Sequence, residues 1–183
     1  VPTFHVCRYD QPDGSKDILI LTYCRNKNTQ QLSWRWQGVP APRPLYNLDF
    51  LATKPDAIVL VTEGEKTTDA AQIIFQEMVV TTSPNGANSV AKADWSPLAG
   101  RCVFIWPDND PAGRKYAANV AMLAIKVGAT DVRIVQIPED FPAGWDLADA
   151  QPEGWTMEGL LKLLEDAVPY DIPNPAHKAD DEM

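Results

Sequence analysis

The sequence predicts an α/β protein: a four-stranded parallel sheet with helices on both faces, preceded by a small β-rich hairpin subdomain. Three observations carry this. Short strand-like runs recur at 58–62, 79–82, 102–106 and 132–137, and the first is a continuous apolar, β-branched stretch, the mark of a strand buried on both faces. Segments with helical spacing lie after the first run at 66–78, after the third at 111–127, and after the fourth at 156–167. Before residue 57 the rhythm differs, with strand-like pieces separated by turn residues.

Taken in order, Thr3-Phe4-His5-Val6-Cys7-Arg8-Tyr9 and Asp17-Ile18-Leu19-Ile20-Leu21-Thr22-Tyr23 read as strands. The Asp10-Gln11-Pro12-Asp13-Gly14-Ser15 turn between them makes a hairpin. Leu32-Ser33-Trp34-Arg35-Trp36 is a third short run, and Val39-Pro40-Ala41-Pro42-Arg43-Pro44 is too proline-dense for anything but an extended connector. In the 66–78 helix, Ala70, Ile73, Ile74 and Phe75 form the predicted inner side. Ser83-Pro84-Asn85-Gly86 breaks the second strand of the sheet. Pro111 opens the next helix and Gly128 stops it. Thr156 is the predicted N-cap of the last helix, with Leu160, Leu161, Leu163 and Leu164 facing the core. The domains expected are 1–56, β-rich subdomain and connector; 57–168, the α/β catalytic domain; and 169–183, a flexible acidic tail.

Composition narrows the function. With 45% hydrophobic residues and six Trp, five Phe and five Tyr, the 183 residues are neither disordered nor fibrous. Cys7, Cys24 and Cys102 form no CxxC pair, which excludes a zinc knuckle within the chain and predicts a reducing, cytoplasmic setting. No apolar run approaches the roughly 18 residues of a membrane span, and no signal peptide is expected at the start. The net charge of -9 argues against a self-sufficient binder held by phosphate neutralisation. Its distribution is uneven: residues 1–57 hold seven Lys and Arg against five Asp and Glu, and residues 58–183 hold nine against twenty.

In a parallel sheet, ligands bind beyond the carboxyl ends of the strands. Glu63-Gly64 follows the first strand of the sheet, Asp108-Asn109-Asp110 the third, and Asp146 and Asp149 lie in the loop after the fourth. Acids so placed are expected to converge on one edge, where hard divalent cations with oxygen ligands neutralise them. A single acid after a strand is commonly a helix N-cap, and Asp110 before Pro111 fits that role as well. Gly64-Glu65-Lys66-Thr67-Thr68 is not a phosphate-binding P-loop, because Glu65 and Leu60 occupy the two places that loop gives to glycine.

The run Ile58-Val59-Leu60-Val61-Thr62-Glu63-Gly64, the Asn85-Gly86-Ala87-Asn88 loop and Val103-Phe104-Ile105-Trp106-Pro107-Asp108-Asn109-Asp110-Pro111-Ala112-Gly113 together resemble the Toprim (Rossmann-like) fold of bacterial primases, topoisomerases and several nucleases. The Asp-x-Asp-x-Ala-Gly ending is similar to the primase version. Pro142-Ala143-Gly144-Trp145-Asp146 resembles the primase acidic loop, and the front end, with Trp34-Arg35-Trp36 and Leu45-Tyr46-Asn47-Leu48, looks like that of primase-helicases of phages, plasmids and integrated elements. Two positions depart from that pattern. Thr67 stands where replicative primases carry Asp, with Asp69 two further on, and Ala148 takes the second place of the acidic loop, with Asp149 displaced by one.

The resemblance implies metal-dependent nucleotidyl transfer making primers on single-stranded DNA from nucleoside triphosphates. It implies Mg²⁺ (or Mn²⁺) on Asp108, Asp110 and Asp146, with Glu63 as general base or as a further ligand. Gly64 would allow close backbone approach. Lys66, Arg114 and Lys115 would meet triphosphate or serve as solvated helix charges, and Asn85-Gly86 would line the site or form a tight turn. Arg8, Arg25, Lys27, Trp34, Arg35 and Trp36 are the candidate template surface; the competing expectation packs Trp34 and Trp36 on the sheet. His5 and His177 carry no site context. A helicase module is expected in the same or a partner chain. The alternatives are a metal-dependent nuclease, or a non-catalytic module binding nucleic acid or a partner; a topoisomerase would need a strand-cleaving Tyr, for which none of the five has the context.

Overall fold

The computed structural model describes residues 4–171. The front end is a three-stranded antiparallel sheet of β1 (Phe4–Asp10), β2 (Lys16–Arg25) and β3 (Leu32–Trp36). The predicted hairpin thus gains the third run as a full strand, with Tyr23 opposite Trp34 and Leu21 opposite Trp36. Gly14, at φ +83°, and the Asp13 carboxylate bonded to the Ser15 amide shape the β1–β2 turn.

The connector is fastened rather than loose. The Arg43 amide donates to Lys92 O (2.8 Å), the Asp94 amide donates back to Arg43 O (2.7 Å), and the guanidinium donates to Val39 O and Ser89 Oγ. A short helix that the sequence pattern did not reveal, α1 (Leu48–Thr53), follows and buries Leu51.

The main sheet contains β4 (Val59–Thr62), β5 (Val79–Thr81), β6 (Cys102–Trp106), β7 (Asp131–Ile134) and β8 (Val168–Pro169), in spatial order β5-β4-β6-β7-β8. The first four are parallel, as predicted. The fifth corrects the sequence reading: Val168 and Pro169 pair antiparallel with Ile134 and Arg133, and the Tyr170 amide donates to Val132 O (2.8 Å). Proline is tolerated there because an edge strand needs donors on one side only. Pro169 and Tyr170, which the sequence reading gave to the tail, are thus held on the sheet, and 172–183 lie outside the described residues. β7 ends at Ile134 rather than at 137, since its neighbour β6 runs into Pro107, which has no amide proton to continue the ladder.

Alternation along the central strands divides the core. Val59, Val61, Val103 and Ile105 face α1, α3 (Pro111–Lys126) and the 3₁₀ segment Gly86–Lys92. Leu60, Val80 and Trp106 face α2 (Glu65–Ile74), α4 (Met157–Glu165) and the loop that carries Phe141, Trp145 and Leu147. Two helix faces differ from expectation. α2 turns Thr67, Thr68 and Ala71 inward and leaves Ile73 74% exposed, because Thr68, bonded to Thr62 and Gly64, fixes the inner side and Ile73 falls off it. In α4, Thr156 caps the Gly159 amide and Leu160 is buried, but Leu161 points outward.

Candidate functional site

The site is built where β4, β6 and β7, adjacent in the sheet, release their chains. Beneath the Glu63-Gly64 turn lies a ring of buried hydroxyls. Thr68 Oγ1 donates to Gly64 O (2.9 Å) and shares a 2.8 Å bond with Thr62 Oγ1; the Gly64 amide donates to Thr82 Oγ1 (3.1 Å). Thr82 in turn meets the Tyr116 hydroxyl (3.2 Å), which donates to Thr62 O (3.1 Å). Burial raises that phenol above its usual range and keeps it a neutral donor. Gly64 adopts φ +95°, a conformation that few other residues take, so its place in the turn is a backbone requirement.

The β6 loop is set by α3. Gly113 packs so tightly on Asp108 that a Cβ at 113 would stand 2.8 Å from Asp108 N and closer still to its carbonyl oxygen. Asp110 is the N-cap of α3, its Oδ1 accepting from the Gly113 amide at 2.6 Å. This is the capping role weighed above, and it leaves the second carboxylate oxygen without a part in the cap.

Asn109, which sequence reasoning passed over, joins the two acidic loops. Its amide donates to Trp145 O and its carbonyl accepts from the Gly144 amide, each at 2.9 Å. Its side chain donates to Phe141 O (2.9 Å) and Pro142 O (3.1 Å). Edge-on packing of Phe141 against Trp145 and Trp155 holds the far side of that loop.

These supports bring the acids together. Burial, then Glu63, Asp146, Asp110 and Asp149 in that order, push the Asp108 carboxyl up to about 8. Asp146 Oδ1 accepts from the Ala148 amide (2.6 Å), and Asp149 Oδ2 from the Asp146 amide (3.1 Å). Among the described residues no three acidic, cysteine or histidine side chains close around one point, so the carboxylates form an open edge rather than a finished cage. The donor set nonetheless fits a hard divalent cation: it is all carboxylate oxygen, and Asp108 carries a repulsion that a cation would relieve.

The remaining candidates separate. Lys66 Nζ lies 3.8 Å from Asp149 Oδ1, at the rim. Arg114 lines both a cavity of about 220 Å³ with Asp108, Asn109 and Gln136, and a neighbouring one of about 520 Å³ with Asp110 and Glu139; Lys115 is exposed and lines neither. Asp69 accepts from the Tyr46 hydroxyl (3.0 Å), away from this convergence, and burial and Asp69 push that phenol up to about 12. Asn85, in the left-handed region at φ +67°, donates its amide to Glu65 Oε1 (3.3 Å), and Gly86 begins the 3₁₀ segment. Burial raises the Glu65 carboxyl, a second partly buried acid that the motif reading did not single out.

The template set splits between the two faces of the front sheet. The β-register places Arg25, Tyr23 and Trp34 on one face and Arg8 and Arg35 on the other, with Arg8 paired to Asp10 at 2.7 Å. Lys27 lies in the β2–β3 turn. Trp34 and Trp36 do share a face, but they are 41% and 57% exposed and belong to neither core cluster.

No protein-family model and no curated protein matches the chain. Among solved structures, the zinc-binding and RNA polymerase domains of Aquifex aeolicus primase align at TM-score 0.52 and 15% identity, over 89% of this chain and 44% of that one. The DnaG primase catalytic domain bound to ssDNA aligns at 0.46 and 17%, over 91% and 52%; the primase fragment of the bacteriophage T7 primase-helicase protein aligns at 0.43 and 16%, over 79% and 56%. The chain thus spans about half, or less, of each of these three structures. The first alignment shows a shared mixed α/β fold; in this chain it comprises a parallel-rich sheet and a separate antiparallel one.

Proposed function

We propose that this chain is the Toprim catalytic portion of a primase or primase-helicase of the mobile-element type, performing metal-dependent nucleotidyl transfer to make primers on single-stranded DNA. The observation that carries the reading is the concentration of negative charge around Asp108, drawn from the ends of three adjacent strands. Phosphoryl transfer asks for little covalent help and much charge neutralisation, and an all-oxygen acidic edge is suited to the cations that supply it.

Asp108, Asp110 and Asp146 would hold Mg²⁺ or Mn²⁺, which when bound neutralises charge on the reacting phosphate. Glu63, on its hydroxyl-braced turn, would take the proton from the attacking hydroxyl or join the ligand set. Arg114, which lines both cavities, would meet triphosphate oxygens, and Lys66, beside Asp149, would serve as a second cation. A helicase module in the same or a partner chain, and a cytoplasmic setting, complete the reading; among the described residues no helix is long and apolar enough to cross a membrane.

The open arrangement of the carboxylates favours one other reading, a non-catalytic module that keeps the fold and binds nucleic acid or a partner. Calorimetric titration with Mg²⁺ and Mn²⁺, for the native chain and for the Asp108→Asn/Asp110→Asn pair, separates the two. Asn still caps a helix, so the second substitution spares α3. Binding lost in the pair, with primer synthesis by the native protein, supports catalysis. No binding at millimolar Mn²⁺ and no primer synthesis sink it in favour of the module.

A further inference from the structure

The front sheet carries a feature that the acidic edge does not use. Cross-strand partners share a face, and on one face the register gathers His5, Tyr9, Tyr23, Trp34 and Trp36, with Leu21 in their midst. The rings form contacts among themselves: His5 and Tyr23 each lie 5.0 Å from Trp34, and Tyr9 meets Trp36 edge-on at 6.3 Å. Yet the face is open. Tyr9 is 47% and Tyr23 39% exposed, and no residue of β1–β3 belongs to either core cluster. A strand face of aromatic rings without a covering layer costs solvation and marks a contact surface.

Charge indicates what covers it. Residues 4–36 hold five Lys and Arg against three Asp, a net +2 in a chain of net -9. Arg25 lies on the aromatic face with Lys27 in the turn at its end, Asp17 stands opposite Tyr9, and Arg8 and Arg35 belong to the other face. An anionic polymer with flat apolar rings satisfies both properties, and only unpaired bases present those rings. Rings on alternate residues of a strand stand about 7 Å apart, a spacing that a stretched single strand matches.

We propose that the aromatic face of β1–β3 is a stacking platform for single-stranded nucleic acid, bases lying on Trp34, Tyr23 and Trp36, with phosphates drawn to Arg25 and Lys27. The platform is indifferent to base identity, since every base has a π-face. Arg8 and Arg35, on the opposite face, take no part. The inference rests on the reading above for the presence of a single-stranded template, and it assigns the surface that holds it.

The test titrates the whole chain with an oligothymidylate of about a dozen nucleotides at low salt, following tryptophan fluorescence and oligonucleotide anisotropy. Quenching is expected. Trp34→Ala should weaken binding about tenfold or more, Trp34→Phe should retain most of it, and Arg35→Ala should leave it unchanged. Circular dichroism checks that the variants remain folded. Absence of binding, or equal affinity in Trp34→Ala, overturns the proposal; so does a self-associated native chain that Trp34→Ala converts to monomers, which would put a second copy on the face. Asp108→Asn keeps its oligonucleotide affinity if the platform is independent. Loss of primer synthesis with Trp34-dependent binding intact would fell the catalytic reading alone.

Discussion

Gly113, in the first turn of α3, rests directly against the backbone of Asp108, leaving no room for a Cβ between them. The helix that follows the acidic loop thereby fixes where the loop's central carboxylate stands. Gly113→Ala should cost about 1–2 kcal/mol in urea denaturation: overpacking by one methyl in a tight contact costs about 1–3, offset in part by the helical preference of Ala over Gly. The same variant should show a smaller Mg²⁺-induced rise in Tm, because Asp108 shifts with the loop. An unchanged urea midpoint would contradict the contact.

Asp108 has a folded-state pKa of about 8 against an ordinary 3.8. The folded protein therefore retains a proton that the unfolded chain releases, and this contribution to stability is full below about pH 4 and lost as pH rises towards 8. Asp108→Asn removes the titration. Native protein and variant should have similar stability at pH 4, and the variant should be more stable at pH 8.5, on the order of 1 kcal/mol once the partial solvent access of the carboxyl is allowed for. Melting curves across this range check the sign. Millimolar Mg²⁺ at pH 8 should raise the native Tm and leave the variant's unchanged.

Glu63 and Asp108 were legible in the sequence because each reports itself twice, once just past the stop of an apolar run and once as an acid, and they follow β4 and β6. Asp146, in the long loop after β7, was legible only as an acid, and it lies near enough to Asp108 to raise that carboxyl. Asn109 was not legible: between two aspartates it reads as a turn filler, and its bonds run to backbone oxygens more than thirty residues away. Thr68 and Thr82 escaped for a related reason. Hydroxyls at buried positions look polar to a hydrophobic count, which also displaced the inner face of α2 onto Ile73. β8 was hidden by its two-residue length and its proline, and α1 by its six.

Asn109→Ala deletes the side-chain bonds to Phe141 O and Pro142 O but leaves the backbone pair with Trp145 and Gly144. Stability should fall by about 1 kcal/mol, since a part-buried Phe141 carbonyl and an exposed Pro142 carbonyl lose a donor. Hydrogen exchange should quicken at the Gly144 and Trp145 amides while the β4 amides keep their protection. Asn109→Asp should be worse than Ala, because it replaces the donor with an acceptor and adds a charge beside Asp108 and Asp110. Equal exchange in native and Ala variant would show that the aromatic packing of Phe141 alone holds the loop.

Tyr116 reaches from α3 across the sheet to the Thr62 carbonyl, and its hydroxyl also meets Thr82, which receives the Gly64 amide. The chain of bonds connects the α3 interior to the turn that presents Glu63. Tyr116→Phe should destabilise by about 1–3 kcal/mol, the cost of buried polar groups losing a partner. Thr82→Val should cost a similar amount while Thr82→Ser largely preserves the network. If the hydroxyls act as one unit, the Tyr116→Phe/Thr82→Val double variant loses less than the sum of the two singles, by about 0.5 kcal/mol or more, because the first substitution already breaks the chain. Strict additivity would mean that each hydroxyl serves only its own neighbour. A positioning role adds a second readout: Tyr116→Phe should lower primer synthesis at pH values and temperatures where the variant remains fully folded, which a purely structural hydroxyl would not do.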